Sequence, residues 1–118
     1  MTQWYANELS KLAKVSVRTL HHYDKIGLLK PSLRLPNGYR VYTDKELLKL
    51  QKIISLKFLG FGLAQIKVLL RGDVDLKAQF ALQSDLLKKK AKALKSAGDA
   101  LDSILFDCGN SDSINRGI

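Results

Sequence analysis

The sequence predicts a mainly α fold: four short helices with a β-hairpin inserted among them, then one long helix. Three observations carry this. Apolar residues recur at helical spacing in short runs, each stopped by a breaker. An Asn37-Gly38 pair lies between alternating residues, as hairpin turns do. From about Leu76 to Phe106 there is no Pro, and Gly98 is the only Gly.

The first helix is expected over roughly residues 5–13, from Ala6, Leu9, Leu12 and Ala13, with a break at Lys14-Val15. Ser16 is a candidate N-cap for a second helix, roughly 17–26, because its hydroxyl can accept from an unpaired first-turn amide. Val17, Leu20 and Ile26 are its expected buried side, and Gly27 is placed to end it in the left-handed conformation. Two short helices around a brief turn read as a helix-turn-helix. The segment at 33–42, LRLPNGYRVY, then reads as a hairpin with a two-residue type I′ turn at Asn37-Gly38. A hairpin directly after a helix-turn-helix is a winged layout, with Tyr42 expected to pack wing against core.

Thr43 and Glu46 match a capping box. A third helix follows to about Leu59, with Leu47, Leu50, Ile54 and Phe58 among its apolar positions, and Gly60 closes it. A fourth, about 63–70, carries Leu63, Ile66, Leu69 and Leu70 before Gly72-Asp73.

In the long helix, Phe80, Leu87, Leu94 and Leu101 repeat every seven residues, flanked by Ser84, Ala91, Gly98 and Leu105, with Ala97 and Ile104 beside them. A heptad seam with small residues invites a second helix to approach closely. The expected partner is a second copy of the chain, giving a homodimer with an antiparallel coiled coil. The other reading is that the seam packs back on the first module. A mid-helix Gly costs about 1 kcal/mol against Ala, which close helix approach offsets. The expected domains are 1–72, a winged helix-turn-helix; 73–107, a dimerisation helix; and 108–118, a polar, breaker-rich tail.

Charge supports this division. The chain of 118 residues has 20 Lys+Arg against 11 Asp+Glu, a net +9. Residues 1–72 hold 13 of those bases and 4 of the acids; residues 73–118 hold 7 of each. The whole excess lies in the first module, which points to an anionic partner such as nucleic acid. No run of about 18 apolar residues is present, and the N-terminus lacks the basic-then-apolar pattern of a signal peptide. One cysteine, Cys108, excludes an intrachain disulfide scaffold. The expected location is cytoplasmic, with no membrane partner.

VSVRTLHHYDKIGLLKPS at 15–32, NGYRVYT at 37–43, LKFLGF at 56–61 and the following LAQIKVLL, in that order, closely resemble the DNA-binding domain of MerR-family transcription regulators. With the long helix matched to the family's dimerisation helix, the resemblance covers about residues 4–106. The HHY at 21–23 and KAQFALQSDLLKKKAKAL at 77–94 are most similar to the multidrug-responsive TipA-like and Mta-like branch. In that branch a further C-terminal domain binds a small-molecule effector; here the chain is either an N-terminal fragment or a short regulator. The resemblance implies a homodimer that binds a palindromic site in double-stranded promoter DNA with an over-long spacer. It bends and untwists that DNA for RNA polymerase, in response to an effector.

A recognition helix places its N-terminal part nearest the bases. Arg18 is therefore the leading base-reading candidate, since a guanidinium can donate two bonds to a guanine edge. Ser16 and Thr19 can reach bases or phosphates, and Ser16 can also serve only as a cap. His22 and Tyr23 match family positions that contact phosphate, with Tyr23 alternatively a core residue. His21 stands where Arg is usual, so a permanent charge gives way to a titratable ring. Arg34, Tyr39 and Arg40 in the wing match backbone-contacting positions, as does Lys57 near the end of the third helix. The dimer contacts are assigned to Phe80, Leu87, Ala91, Leu94, Ala97, Gly98, Leu101, Ile104 and Leu105. The Lys88-Lys89-Lys90 run with Lys92 reads as a solvated coiled-coil face.

No metal site is expected. His21 and His22 are adjacent and point about 100° apart on a helix, and Cys108 has no second cysteine to join it. No cofactor and no catalytic residue are assigned, because the sequence holds no phosphate-cradling Gly loop, paired carboxylates or Ser/His/Asp arrangement. Two other classes fit parts of the pattern: an architectural, excisionase-like DNA-binding protein, and a coiled-coil protein-interaction module.

Overall fold

The computed structural model describes residues 2–110. In chain order the elements are β1 (Gln3–Tyr5), α1 (Ala6–Ala13), α2 (Val17–Lys25), β2 (Leu33–Arg34), β3 (Arg40–Thr43), α3 (Asp44–Phe58), α4 (Leu63–Arg71) and α5 (Leu76–Asn110). The chain divides into two compact units between Leu76 and Lys77.

In the first unit the punctuation follows local chemistry. α1 opens with the Tyr5 amide donating to Glu8 Oε1 at 2.9 Å. It closes at Lys14, which adopts φ 58 and is the one non-glycine with positive φ among the described residues. α2 starts as expected, with the Thr19 amide donating to Ser16 Oγ at 2.9 Å. It ends at Gly27, whose φ of 76 favours glycine. Just beyond, the amides of Leu28 and Leu29 both donate to the Tyr23 carbonyl, at 2.8 and 3.1 Å. That turn drives both leucines into the core.

The wing differs from expectation in two ways. It is a three-stranded antiparallel sheet of order β1-β3-β2, not a lone hairpin. β1 pairs with β3 in the register Gln3↔Thr43, Trp4↔Tyr42, Tyr5↔Val41. Three residues are too few to display strand alternation, so β1 had no legible pattern. The turn is also not type I′, which requires two positive-φ residues. Gly38 alone has positive φ here. Its amide donates to the Leu35 carbonyl at 2.8 Å, and the Leu35 amide donates to the Tyr39 carbonyl at 2.8 Å. The loop is thus three residues, Pro36 to Gly38. Pro36 explains the choice: its fixed negative φ suits the second position of an ordinary turn, which a left-handed glycine then completes.

α3 begins with the expected box, the Thr43 amide donating to Glu46 Oε1 at 2.9 Å. Glu46 is buried and also accepts from the Ser32 hydroxyl, tying the loop before the wing to the helix after it. The buried side of α3 is Glu46, Leu50 and Ile53. Ile54 and Phe58, two of the helix's apolar positions, are exposed, Phe58 by 88%. A row at four-residue spacing drifts about 40° per step around a helix, so by Phe58 the row begun at Leu50 has left the core. With Leu9, Leu20, Tyr23, Tyr42, Phe61, Ile66 and Leu69, Leu50 and Ile53 join Leu28 and Leu29 in one core.

The second unit is α5, 35 residues long, or about 52 Å at 1.5 Å per residue. It runs unbroken through Gly98, where an added Cβ would meet nothing within 4 Å. It also continues through Cys108, so residues 108–110 are helical, where a polar tail was expected. The rest of that tail, 111–118, lies outside the described residues. Leu94, Leu101, Ile104 and Leu105 are exposed by 57–73%, and Leu87 by 39%. Ala91, Ala97 and Gly98 are exposed beside them.

Candidate nucleic-acid interface

α2 carries most of the candidate residues. Ser16 Oγ lies 2.7 Å from Thr19 Oγ1 as well as accepting the Thr19 amide, so the two hydroxyls hold one another at the start of the helix. Arg18, His21 and His22 are exposed along the same helix. Thr19 is half-buried. Tyr23 takes the second of its two expected places: it is 5% exposed and belongs to the core, where burial pushes its hydroxyl pKa up. Its ring packs among leucines because Leu20 and Tyr23, three apart, share the inward face of α2.

The wing meets α2 at a residue that the sequence reading passed over. Asp24, in the last turn of α2, is 3% exposed. Arg34 Nη2 donates to both of its carboxylate oxygens at 2.6 Å. Arg40 Nε donates to Oδ2 at 2.7 Å, and Lys30 Nζ stands 3.9 Å from Oδ1. Burial alone would push the Asp24 carboxyl up; the hydrogen bonds and charges of Arg40 and Arg34 outweigh it and hold the group below the usual carboxylate range. One signal was present. A carboxylate in the last helical turn opposes the helix dipole, so it needs cations close by. Arg34 and Arg40 were assigned to DNA; the structure also gives both a fixed partner within the protein. Deeper in, the Tyr42 hydroxyl is buried with no hydrogen-bond partner among the described residues, and its pKa is raised by burial first and by Asp24 second.

Between α1, α2 and the wing lies an open cleft of about 390 Å³, lined by Tyr5, Ala6, Asn7, Val17, His21, Gly38, Tyr39 and Arg40. Tyr39 is 58% exposed and packs edge-on against Tyr5, ring centroids 5.7 Å apart. The structure therefore brings His21, Tyr39 and Arg40 together on one cleft and adds Tyr5 and Asn7. Tyr5 was out of reach of sequence reasoning because its place depends on the unrecognised strand β1. Lys57 is exposed near the end of α3 and does not line this cleft.

Among the described residues no group of three His, Cys, Asp or Glu is placed to hold a metal ion, and no helix is long and apolar enough to cross a membrane.

Comparison with known proteins gives a consistent result. The family model for the MerR HTH family regulatory protein matches residues 6–73. The HTH-type transcriptional activator mta of Bacillus subtilis is 35% identical over 115 residues, 97% of this chain and 45% of that protein. The chain thus spans less than half the length of that relative. The crystal structure of MtaN, the Bacillus subtilis multidrug transporter activator N-terminus, superposes with a TM-score of 0.76 at 38% identity, covering 86% of this chain and 97% of that one. A cryo-EM structure of an EcmrR-DNA complex in EcmrR-RPo gives a TM-score of 0.85 at 29% identity, covering 92% of this chain and 41% of that one. A winged helix-turn-helix, a long second unit and a family match over more than half the residues lead to one assignment: the chain belongs to the MerR HTH family of regulatory proteins.

Proposed function

We propose that this chain is the DNA-binding and dimerising part of a transcription regulator, acting on double-stranded promoter DNA as a homodimer. The observation that carries the reading is the shared exposure of Arg18, His21 and His22 on α2 beside the cleft that Tyr39 and Arg40 line. In this reading the start of α2 enters the major groove and Arg18 reads a base edge, while His21, His22, the wing and Lys57 follow the phosphates. The concentration of all the net charge in residues 1–72 agrees with it. The exposed seam of α5 pairs with that of a second copy, antiparallel, through Phe80, Leu87, Leu94, Leu101 and their small neighbours. By family likeness, the dimer bends and untwists promoter DNA with an over-long spacer so that RNA polymerase can use it. By the same likeness, a small-molecule effector shifts the dimer between states that distort the DNA differently.

The test is binding to a duplex selected from a random pool, measured by fluorescence anisotropy at several salt concentrations. Arg18→Ala is expected to lower affinity for the selected duplex by about 1–3 kcal/mol, roughly five- to 150-fold, and to leave random-sequence binding much less changed. A uniform loss on both duplexes removes Arg18 from base reading. Affinity that hardly responds to salt contradicts phosphate contact altogether.

A further inference from the structure

We propose that Asp24 is the positioning residue of the wing, taking one nitrogen from each of Arg34 and Arg40 so that Arg40's remaining donors face a DNA phosphate in the cleft beside α2. The inference rests on the DNA-binding reading and adds to it a residue that never touches DNA.

The donor inventory is the first argument. A guanidinium carries five N–H donors on three nitrogens. Arg40 gives Asp24 only its Nε, leaving both terminal nitrogens. Arg34 gives only Nη2, leaving Nη1 and Nε, and its side chain is 51% exposed. Neither arginine is used up by the carboxylate; each is oriented by it.

Placement is the second. Asp24 belongs to α2, while Arg34 and Arg40 belong to β2 and β3, so one carboxylate fixes the wing against the recognition helix. Arg40 lines the cleft with Asn7, Val17, His21 and Tyr39, and among the described residues no acidic side chain lines it. Asn7, His21 and Tyr39 add polar groups on the same walls, and Ala6 and Asn7 bring the first turn of α1, where amides point outward. One buried carboxylate faced by Lys30, Arg34 and Arg40 still leaves a local excess of two positive charges.

Energetics is the third. A carboxylate at a helix C-terminus is opposed by the dipole and pays for burial. Buried ion pairs are weak sources of net stability, and in some proteins what they supply is a fixed geometry. That suits a wing whose arginines must meet a phosphate at a set distance.

The decisive variant is Asp24→Asn, which keeps the shape and raises the net charge one unit above +9. If charge alone governed binding, this variant would bind DNA more tightly. The positioning role predicts the reverse: at least about tenfold weaker binding to the selected duplex. It also predicts that the slope of log affinity against log salt falls by about one, the signature of a lost phosphate contact. General destabilisation lowers the active fraction but leaves that slope alone. In an Arg40→Gln background, Asp24→Asn should then change little. Unchanged or tighter binding, an unchanged slope, or additive losses in the double variant each overturn the proposal. Should Asp24→Asn fail to fold, Arg40→Lys carries the test. It keeps the charge, but its three donors share one nitrogen, so it cannot meet Asp24 and a phosphate at the two separated points that the guanidinium fork spans; about a tenfold loss is expected and full affinity refutes it. Wild-type protein that binds no duplex in a salt-dependent way defeats the DNA-binding reading itself, a distinct result from wild-type binding with an indifferent Asp24→Asn.

Discussion

Asp24 binds pH to stability through its two arginines. Its folded pKa is depressed, so its contribution is fully present above the ordinary carboxylate value near 3.9 and is lost as pH falls through the lower folded value. In thermal melts taken at pH 6 and at successively lower pH, the gap between wild type and Asp24→Asn is expected to narrow once pH falls below the ordinary carboxylate value, because protonation does to the wild type what the substitution does at every pH. A gap that stays constant with pH would assign the stability difference to packing instead. At this scale the sequence was a partial guide. Ser16 could be read because capping is local, depending on residues three apart. Arg34 and Arg40 could be named from their place in the motif, but not their shared partner, which lies 10 and 16 residues away in the chain. Tyr23 was ambiguous because a phenol serves core and surface alike, and its neighbours on α2 decide the matter.

Helix α3 shows how far periodicity reaches among the elements. Leu50 is fully buried, whereas Phe58, two turns later and larger, is 88% exposed. Leu50→Ala is therefore expected to cost about 2–5 kcal/mol in urea unfolding. Phe58→Ala should stay within about 0.5 kcal/mol, as surface changes do. A large loss at Phe58 would mean that its ring is covered in solution. The existence of all five helices could be read from breakers and caps, since Gly27, Gly72, Ser16 and the Thr43–Glu46 pair act within one turn. The wing was legible as a hairpin but not as a sheet. Its turn type hinged on Pro36 outweighing Asn37-Gly38, and its third strand on a partner that only the folded chain supplies.

At the scale of the whole molecule, the exposed apolar side chains of α5 are the main unmet demand. A long helix with Leu94, Leu101, Ile104 and Leu105 facing water is expected to associate at micromolar concentration, seen as a dimer by sedimentation velocity. Leu94→Asp should shift that species to monomer while leaving the first unit folded, because Leu94 lies in the separate second unit. A monomeric wild type would contradict the seam. In a dimer the two copies of residues 1–72 together carry about +18, twice +9, while residues 73–118 add no net charge to it. That distribution suits two half-sites on one duplex.

The strand β1 also bears on the order in which the wing can form. Joining Leu33 to Val41 closes a loop of eight residues, but joining Gln3 to Thr43 closes one of forty. The fivefold longer loop costs about 1.4 kcal/mol more chain entropy. The β2–β3 hairpin is thus a local event, whereas β1 must wait until α1, α2 and the hairpin have drawn the chain ends together. During synthesis residues 3–5 leave the ribosome before β2 and β3, yet they pair after those two strands have met.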